Sequence, residues 1–368
     1  MTVAGADPGA QALRPPAARL LDEGDSAPFV HAHDHGGTLT GSNSDALAGK
    51  PILLLFCPSV QDESLAAGLR AFGAAAGRLS ALHATLLVIC RSPAEANAKA
   101  RAGLALPFAL LADPNAAIFK GYGVDPHPAV PALTLFILDA GHRVARVLDR
   151  GEPKALVEET IATIERLATA RPATRLLQSH PPVLVLPRML RAEDCAFLAQ
   201  VWSRKVPEHA TDGFTNAGNA SERGDFKVVH DGAYGKAVEY IVQDPALQGF
   251  IDARFRRRLL PEINRAFQAK GLKREGYRIA GYEARQGSFL NPHRDNSTPA
   301  NAHRRFTMTV NLNAGEYEGG ELRFREYGEQ LYAVERGTAI IWSASLLHEV
   351  LPVTQGRRLV LGVHMFGT

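Results

Sequence analysis

The chain has 368 residues, 46% of them hydrophobic and 21% charged, which is typical of globular proteins and excludes a disordered or fibrous chain. Residues 1–182 contain 16 basic and 17 acidic residues, a net charge of −1, and the remainder contain 25 and 21, a net charge of +4. Neither half has the cationic excess that binding to a nucleic-acid backbone requires. We therefore expect no nucleic-acid partner, whereas a small anionic ligand is compatible with this charge.

Three cysteines, Cys57, Cys90 and Cys195, lie far apart and form no Cys-x-x-Cys pair. This pattern excludes a disulfide framework and a cysteine-based zinc site. The first twenty residues lack the basic start and apolar core of a signal peptide, and no apolar run is long enough for a membrane span. We expect a cytoplasmic protein that does not associate with membranes, and the oligomeric state is left open.

Residues 1–24 are rich in proline and alanine, and we expect them to form a flexible leader. Strands and helices then alternate through residues 25–170, which predicts a small α/β sandwich. The predicted strands are Pro51–Cys57, Ala84–Cys90, Phe108–Leu111, Leu133–Leu138 and Val144–Leu148, and the predicted helices are Ser64–Leu79, Ala94–Ala102 and Lys154–Ala168.

Residues 171–182 contain three prolines and little periodicity, so we expect a linker there. In residues 183–368 two helical segments precede a series of short strands, a pattern typical of an antiparallel sandwich or barrel. The helical segments are Ala192–Arg204 and Asp244–Ala269, and the strands are Arg305–Asn313, Gly320–Glu326, Gln330–Val334, Gly337–Ser343 and Arg358–Phe366. The basic run formed by Arg254, Arg256, Arg257 and Arg258 is expected to lie on a solvated helix face.

A candidate metal site lies in this second half. In a strand, residues i and i+2 face the same side, so His293 and Asp295 can bind one ion together, with His348 as a second imidazole from another strand. Two histidines and one carboxylate form the ligand set of non-haem Fe(II) oxygenases. The alternative interpretation is a pair of structural histidines, because His-x-Asp is short enough to arise by chance.

Arg358 begins the last predicted strand and shares a face with Val360 and Gly362. An arginine directed into a strand-built interior is unfavourable unless it meets an anion, and its planar guanidinium binds a carboxylate in a bidentate manner. A dicarboxylate that chelates the metal at one end and meets Arg358 at the other would explain both features.

The second half resembles the 2-oxoglutarate and Fe(II)-dependent oxygenases of the prolyl 4-hydroxylase-like group over about residues 183–368. The resemblance rests on these motifs: Gly281-Tyr282, Gly287-Ser288-Phe289, Pro292-His293-Arg294-Asp295, Leu312-Asn313, Tyr317-Glu318-Gly319-Gly320-Glu321-Leu322, Gly337-Thr338-Ala339-Ile340-Ile341, His348-Glu349-Val350, Pro352-Val353, Gly356 and Arg358.

This resemblance implies a double-stranded β-helix (jelly-roll) with flanking helices, iron on His293, Asp295 and His348, and 2-oxoglutarate on Arg358. Tyr282 is a further candidate for contact with the cosubstrate, as are Thr309 and Asn311. The implied reaction consumes O₂ and releases succinate and CO₂, and ascorbate is an additional cofactor candidate. Because Asp295 occupies a position that a halogenating relative would leave free for chloride, hydroxylation or desaturation is favoured.

The first half resembles peroxiredoxins of the thioredoxin superfamily over about residues 22–168. The resemblance rests on Gly24-Asp25-Ser26-Ala27-Pro28-Phe29, Leu47-Ala48-Gly49-Lys50-Pro51, Leu111-Ala112-Asp113-Pro114 and Gly121-Tyr122-Gly123-Val124. Relative to that family, the peroxidatic cysteine position falls near Leu65, its threonine near Asp62 and its arginine near Leu133. The thiol, hydroxyl and cation that such chemistry needs are therefore missing.

The sequence thus predicts a non-catalytic thioredoxin-like domain (25–170) fused to an Fe(II)/2-oxoglutarate dioxygenase domain (183–368). The expected substrate is a peptidyl-prolyl residue, an amino acid or another small molecule, with the insert Asp212–Tyr234 as a lid. One alternative is a thiol peroxidase or redox sensor that uses Cys57. Another is a non-catalytic binding module, in which the thioredoxin-like half recruits a protein partner and the barrel binds a ligand without turnover.

Overall fold

The computed structural model describes residues 13–17, 19–130, 132–149, 151–170, 174, 176–206 and 235–367, together with the backbone of 221–223 and 226–231. Contacts divide the chain into two compact units between Leu176 and Leu177, a point inside the predicted linker. We call residues 19–176 the N-terminal unit and the unit that contains the residues from Leu177 onward the C-terminal unit. Residues 13–17 at the start of the chain belong to the C-terminal unit.

In its described residues, the N-terminal unit contains a two-stranded ribbon, a five-stranded sheet and five α-helices. Its strands are β1 (His31–His33), β2 (Leu39–Gly41), β3 (Ile52–Cys57), β4 (Thr85–Cys90), β5 (Ala109–Ala112), β6 (Thr134–Leu138) and β7 (Val144–Leu148). Its helices are α1 (Glu63–Ala74), α2 (Ala76–Ala81), α3 (Ala94–Gly103), α4 (Ala117–Gly121) and α5 (Pro153–Thr169).

The sheet has the order β5-β4-β3-β6-β7, in which β3, β4 and β5 run parallel and β6 and β7 run antiparallel to their neighbours. The central strand β3 is apolar throughout because both of its faces are covered. Leu53 and Leu55 pack in the cluster that includes α1 and α5, whereas Leu54 and Phe56 pack in the cluster on the other face. The thioredoxin-like α/β sandwich predicted from the sequence is confirmed.

The end of the predicted leader differs from expectation, because residues 19–24 pack into the N-terminal unit. Leu21 is buried in the cluster that also contains Val144. The Gly24 amide donates to the Val144 carbonyl at 2.8 Å, and the Arg143 guanidinium donates to the Gly24 carbonyl at 2.6 Å. The proline-rich composition of the leader did not reveal this backbone pairing.

The described part of the C-terminal unit contains a large antiparallel sheet and three α-helices. The helices are α6 (Ala192–Lys205), α7 (Pro245–Arg254) and α8 (Leu260–Phe267), with a π-helical segment Phe255–Leu259 between the last two. The strands are β8 (Leu184–Leu186), β9 (Ser221–Arg223), β10 (Phe226–Asp231), β11 (Gly235–Ile241), β12 (Lys273–Arg274), β13 (Arg278–Glu283), β14 (Leu290–His293), β15 (Arg304–Asn311), β16 (Tyr317–Gly319), β17 (Leu322–Arg323), β18 (Leu331–Tyr332), β19 (Ala339–Ser343), β20 (His348–Val350) and β21 (Val353–Phe366). No helix in the described part of either unit is long and apolar enough to span a membrane.

The main path of this sheet is β18-β17-β20-β14-β11-β13-β21-β15-β19-β8. Phe324, next to β17, contacts Trp342 on β19 with ring centroids 5.7 Å apart, although these strands lie near opposite ends of the path. The sheet therefore curls on itself, and the predicted jelly-roll architecture is confirmed. One face packs against the helices, and the other lines an interior that contains the candidate site.

The basic run near the end of α7 does not form the solvated face that we expected. Arg254 and Arg258 are buried, and both lie within ion-pair distance of the wholly buried Asp194. Arg256 is exposed. The difference arises because α6 brings a carboxylate beneath this helix, a tertiary contact that the local sequence does not reveal.

A turn glycine near the edge of the sheet provides a test of this packing. Gly337 has a φ of +77°, and a Cβ there would collide with the Leu190 carbonyl oxygen. Gly271 has a φ of +66° but open space around it. We expect Gly271→Ala to lower the free energy of unfolding by about 1 kcal/mol through backbone strain alone, and Gly337→Ala by about 1–3 kcal/mol more through the collision.

Urea unfolding followed by tryptophan fluorescence measures this difference, because the chain's two tryptophans, Trp202 and Trp342, both lie in the C-terminal unit. Equal losses in the two variants would contradict the close contact between Gly337 and Leu190.

Candidate active site

The pairing of β14 with β20 places two histidines opposite each other. His293 and His348 are register partners, and their ring centroids lie 4.3 Å apart. Strand β14 ends at His293, so Asp295 lies in the following turn and not on the strand, as the i, i+2 argument assumed. The Asp295 amide donates to the Ala344 carbonyl at 2.9 Å, which turns the chain and brings the carboxylate beside the two rings.

The three side chains converge on one point. The His293 Nε2 atom lies 3.6 Å from Asp295 Oδ1, and the His348 Nε2 atom lies 3.5 Å from Asp295 Oδ2. One ligand atom from each residue lies within 4.8 Å of the other two. Among the described residues, this is the one group of three or more histidine, cysteine or acidic side chains that could hold a metal ion.

Both imidazole rings are oriented by their own backbone. The Nδ1 atom of His293 lies 2.7 Å from the Asn291 carbonyl oxygen, and that of His348 lies 2.9 Å from the Leu346 carbonyl oxygen. A carbonyl only accepts, so each Nδ1 bears the proton and each Nε2 presents a lone pair. This is the arrangement that ligating histidines adopt when a carbonyl fixes their tautomer.

A second pair of residues, not identified from the sequence, orients the carboxylate. The Thr307 hydroxyl lies 2.5 Å from Asp295 Oδ2 and 3.1 Å from His364 Nδ1. Because an ionised carboxylate only accepts, the threonine donates its proton to Asp295 and accepts from His364. Thr307 and His364 are register partners on β15 and β21, so the contact becomes visible only when these strands are paired.

The electrostatics of the centre favour an ionised Asp295 carboxylate and neutral rings at His348 and His364. Burial alone would raise the pKa of Asp295, but contacts with His293, His348, His364 and Thr307 hold it well below its usual range. Burial lowers the pKa of His348 and lowers that of His364 to about 4. Burial also opposes protonation of His293, yet its contact with Asp295 raises its pKa.

Arg358 faces the same interior as the triad. It is buried, and no carboxylate among the described residues lies within ion-pair distance of its guanidinium. Its guanidinium carbon lies 5.3 Å from the ring centroid of Tyr282, its register partner on β13. Gly320 gives room for the arginine stem, because a Cβ there would lie 2.7 Å from Arg358 Cδ. Burial raises the pKa of Tyr282 to about 12, so this phenol is protonated at neutral pH.

The other two predicted cosubstrate contacts differ in position. Thr309 lines the cavity together with the triad and Arg358. Asn311 instead lines an adjoining pocket that Arg358 also borders. The Asn311 amide nitrogen lies 2.5 Å from the Tyr317 hydroxyl and 3.1 Å from the Val334 carbonyl oxygen, so this side chain braces neighbouring segments.

The cavity around the triad has further walls that the sequence did not indicate. Its apolar lining includes Leu290, Leu322, Trp342 and Val350, and its charged lining includes Arg278 and Glu239. The indole ring of Trp342 lies 4.9 Å from the ring of His348. The predicted lid Asp212–Tyr234 lies outside the described residues, apart from the backbone of β9 and β10.

In the N-terminal unit, apolar packing fills the position that corresponds to a peroxidatic centre. Leu65 and Leu133 are buried in one cluster, and Leu133 lies so close to α1 that a Cβ on Gly68 would collide with it. The Asp62 carboxylate caps α1 and accepts from the amides of Ser64 and Leu65. A carboxylate at this helix terminus occupies the donors that would otherwise stabilise a thiolate.

None of the three cysteines is exposed. Cys57 and Cys90 are register partners on β3 and β4, and the Cys57 thiol lies 3.4 Å from the Ser59 carbonyl oxygen. A contact with Cys57, together with burial, raises the pKa of Cys90 well above its usual value. Burial raises the pKa of Cys195 to about 12. This environment does not support the thiol peroxidase alternative, because a peroxide cannot reach a wholly buried thiol.

Comparison with known protein families divides the chain in the same way. Residues 277–365 match the model of the 2OG-Fe(II) oxygenase superfamily. Residues 24–147 match the model of the AhpC/TSA family. Both resemblances inferred from the sequence are therefore confirmed.

Similar curated proteins are named PKHD-type hydroxylases. One from Psychrobacter sp. (strain PRwf-1) is 28% identical over 178 residues, which are 46% of this chain and 64% of that protein. One from Saccharophagus degradans is 42% identical over 64 residues, which are 17% of this chain and 28% of that protein. The chain thus spans less than two thirds of the length of these relatives.

Solved structures are similar to each half of the chain. A prolyl-4-hydroxylase of Pseudomonas putida is 21% identical and covers 51% of this chain and 94% of its own, with a TM-score of 0.39. The peroxidoxin BcpB of Mycobacterium tuberculosis is 22% identical and covers 41% of this chain and 99% of its own, with a TM-score of 0.37.

The superfamily match implies Fe(II), 2-oxoglutarate and O₂, and the residues present fit these groups. Two neutral imidazole nitrogens and one carboxylate oxygen converge, as a facial Fe(II) site requires. A buried guanidinium without a carboxylate partner among the described residues suits a dicarboxylate cosubstrate.

The hydroxyl of Thr307 offers a test of the carboxylate's orientation. We expect Thr307→Val to weaken metal binding about 10- to 100-fold, because the methyl group cannot hold Asp295 in place. Thr307→Ser keeps the hydroxyl and should bind metal as the parent protein does. Anaerobic titration with Co(II), followed by its visible absorption, measures the affinity. Equal affinities of the valine and serine variants would contradict an orienting role.

Proposed function

We propose that the chain is a non-haem Fe(II)- and 2-oxoglutarate-dependent dioxygenase that hydroxylates a C–H bond. Substrate, 2-oxoglutarate and O₂ would give hydroxylated substrate, succinate and CO₂. One oxygen atom enters the product and the other enters succinate. The PKHD-type hydroxylases to which the chain is similar support this reaction class.

The observation that supports the proposal most directly is the shared cavity of the triad and Arg358. A buried cation without a counter-ion is unfavourable, so Arg358 is expected to meet an anion in the working protein. The neighbouring triad needs a small chelating cosubstrate. A dicarboxylate with a keto group satisfies both requirements at once.

In this proposal His293, Asp295 and His348 would hold Fe(II), which would supply the chemistry of O₂ activation. Thr307 fixes the Asp295 carboxylate through the hydrogen bond described above. Arg358 binds the distal carboxylate of 2-oxoglutarate, with Tyr282 and Thr309 as further contacts. The apolar wall formed by residues such as Leu290 and Val350 excludes water from the reacting bond.

The substrate classes compatible with this reaction are a peptidyl-prolyl residue, an amino acid or another small molecule. Asp295 fills the position that halogenation would need for chloride, so the proposal is hydroxylation. In the N-terminal unit the buried Leu65 and Leu133 support a non-catalytic role, for which we propose binding of a protein partner.

Anaerobic absorption spectroscopy tests the iron and cosubstrate sites. Fe(II) with 2-oxoglutarate should produce a visible charge-transfer band that is absent in His293→Ala. Arg358→Gln should keep metal affinity but weaken 2-oxoglutarate binding about 10- to 100-fold, because it loses a charge-assisted bidentate contact.

The matched control is Arg256→Gln, which removes an exposed arginine of the same unit and should leave the band and its titration unchanged. If no band forms at saturating iron, the proposed function is wrong. If Arg358→Gln binds 2-oxoglutarate as the parent does, the anion assignment fails while the metal assignment stands.

The peroxidase alternative makes the opposite prediction for Cys57. We expect the protein to consume no hydrogen peroxide above the uncatalysed rate, and Cys57→Ser to retain 2-oxoglutarate turnover, because this thiol is buried and belongs to a different unit from the triad. A coupled thioredoxin assay and succinate detection measure the two activities. Peroxide consumption that disappears in Cys57→Ser would restore the alternative.

A further inference from the structure

The cavity contains a second arginine that the proposed reaction does not use. Arg278 lies on the interior face of β13 with Ala280 and Tyr282, and Glu239 reaches the same cavity from the neighbouring strand β11. Their side chains are 26% and 17% exposed, so both charges are largely removed from water. Charges in such a position require partners.

Arg278 and Glu239 satisfy each other poorly. The closest approach of their charged atoms is 3.8 Å, beyond hydrogen-bonding distance. The Nε atom of Arg278 is buried and has no hydrogen-bond partner. Among the described residues, no side chain donates a hydrogen bond to the Glu239 carboxylate. The two charged groups therefore lie within ion-pair distance but form no hydrogen bond with each other.

Other partly buried arginines of the same sheet differ from Arg278 in this respect. Arg304 binds Glu275 through two hydrogen bonds of 2.7 and 2.8 Å, and Arg274 binds Asp252 through two of 2.6 and 2.9 Å. Glu275 also lies 3.7 Å from Arg278, but both of its oxygens are already engaged by Arg304. Arg278 thus retains donors that a ligand can use.

The position of Arg278 separates it from the cosubstrate arginine. Arg278 on β13 is the register partner of Gly362. Arg358 is the register partner of Tyr282, which lies four residues after Arg278 on β13. Four residues in a strand span about 13 Å. Gly362 precedes His364 by two residues on β21, so Arg278 lies toward the end of the cavity where Thr307 contacts Asp295.

We propose that Arg278 and Glu239 form the binding site for the head group of the substrate, and that the substrate is a free α-amino acid with an apolar side chain. The inference rests on the proposed function and names its substrate class. The substrate carboxylate would accept from Arg278, and its ammonium group would donate to Glu239. The apolar lining by Leu290, Leu322 and Val350 suits a hydrocarbon side chain. A peptidyl residue lacks both charges and would leave the pair unsatisfied.

Calorimetry on the full chain, loaded with Mn(II) and 2-oxoglutarate under nitrogen, tests the site without turnover. The probes are L-proline, L-leucine, L-isoleucine, L-valine and L-methionine, each also as its N-acetyl amide. We expect at least one free amino acid to bind and its blocked form to bind at least about tenfold more weakly, because it lacks both charge-assisted contacts.

Arg278→Gln and Glu239→Gln should each weaken binding of the free amino acid about 10- to 100-fold. The matching amine without a carboxylate should bind equally to the parent and to Arg278→Gln, because this probe has no group that accepts from the guanidinium. Arg256→Gln is the control, and urea unfolding followed by tryptophan fluorescence verifies that each variant is folded.

Three outcomes would overturn the inference. Either no free amino acid binds, or the blocked forms bind as tightly as the free ones. In the third, Arg278→Gln weakens the binding of 2-oxoglutarate and leaves the binding of the amino acid unchanged. Succinate formation with Fe(II) in air separates this from the proposed function. If an amino acid binds in a manner that depends on Arg278 but no succinate forms, the proposed dioxygenase function is wrong and the amino-acid site stands. If succinate forms only with a blocked peptide, the amino-acid site is wrong and the proposed dioxygenase function stands.

Discussion

The alternation of one strand governs both the core and the candidate site of the C-terminal unit. In β21, Leu359, Leu361, Val363 and Met365 pack against the helices, while Arg358, Val360, Gly362 and His364 line the interior cavity. Because side chains in a strand alternate, a register shift of one residue would exchange these two sets. It would bury Arg358 and His364 in an apolar layer that offers them no partner. The same burial that stabilises the fold therefore fixes which groups reach the cavity.

The sequence predicted the groups whose chemistry is local in the chain. His293 and Asp295 are two residues apart, and the alternation that follows Arg358 along its strand predicted it to be an interior cation. Thr307, His364, Arg278 and Glu239 were missed because their roles depend on strand pairing between distant segments. Arg254 and Arg258 were misread for the same reason, since their partner Asp194 lies 60 residues away from Arg254. Local pattern thus predicted elements and ligand types, and tertiary contacts determined the partners.

The N-terminal unit has apolar packing and a helix cap at the positions where the sequence resemblance placed peroxidatic groups. The segment after β3 still forms a capped helix, but Asp62 now satisfies its first amides. Leu65 and Leu133 fill the space above the sheet with apolar volume, and Gly68 is small enough to admit Leu133. Burial of these leucines stabilises the unit by about 1.5–3 kcal/mol each, and a charged or thiol group at either position would lose that packing.

Charge balance among the groups that line the cavity bears on the proposed substrate class. The protein contributes Asp295 and Glu239 as anions and Arg278 and Arg358 as cations, and these four charges sum to zero. Under the proposed function, Fe(II) and the 2-oxoglutarate dianion would add equal and opposite charges. A zwitterionic amino acid keeps the loaded cavity neutral and places each of its charges beside an opposite one. An anionic substrate would leave one buried negative charge uncompensated, and a cationic substrate one positive charge, and either is unfavourable in a site with apolar walls. The electrostatics of the lining therefore favour the same substrate class that the loose pairing of Arg278 with Glu239 indicates.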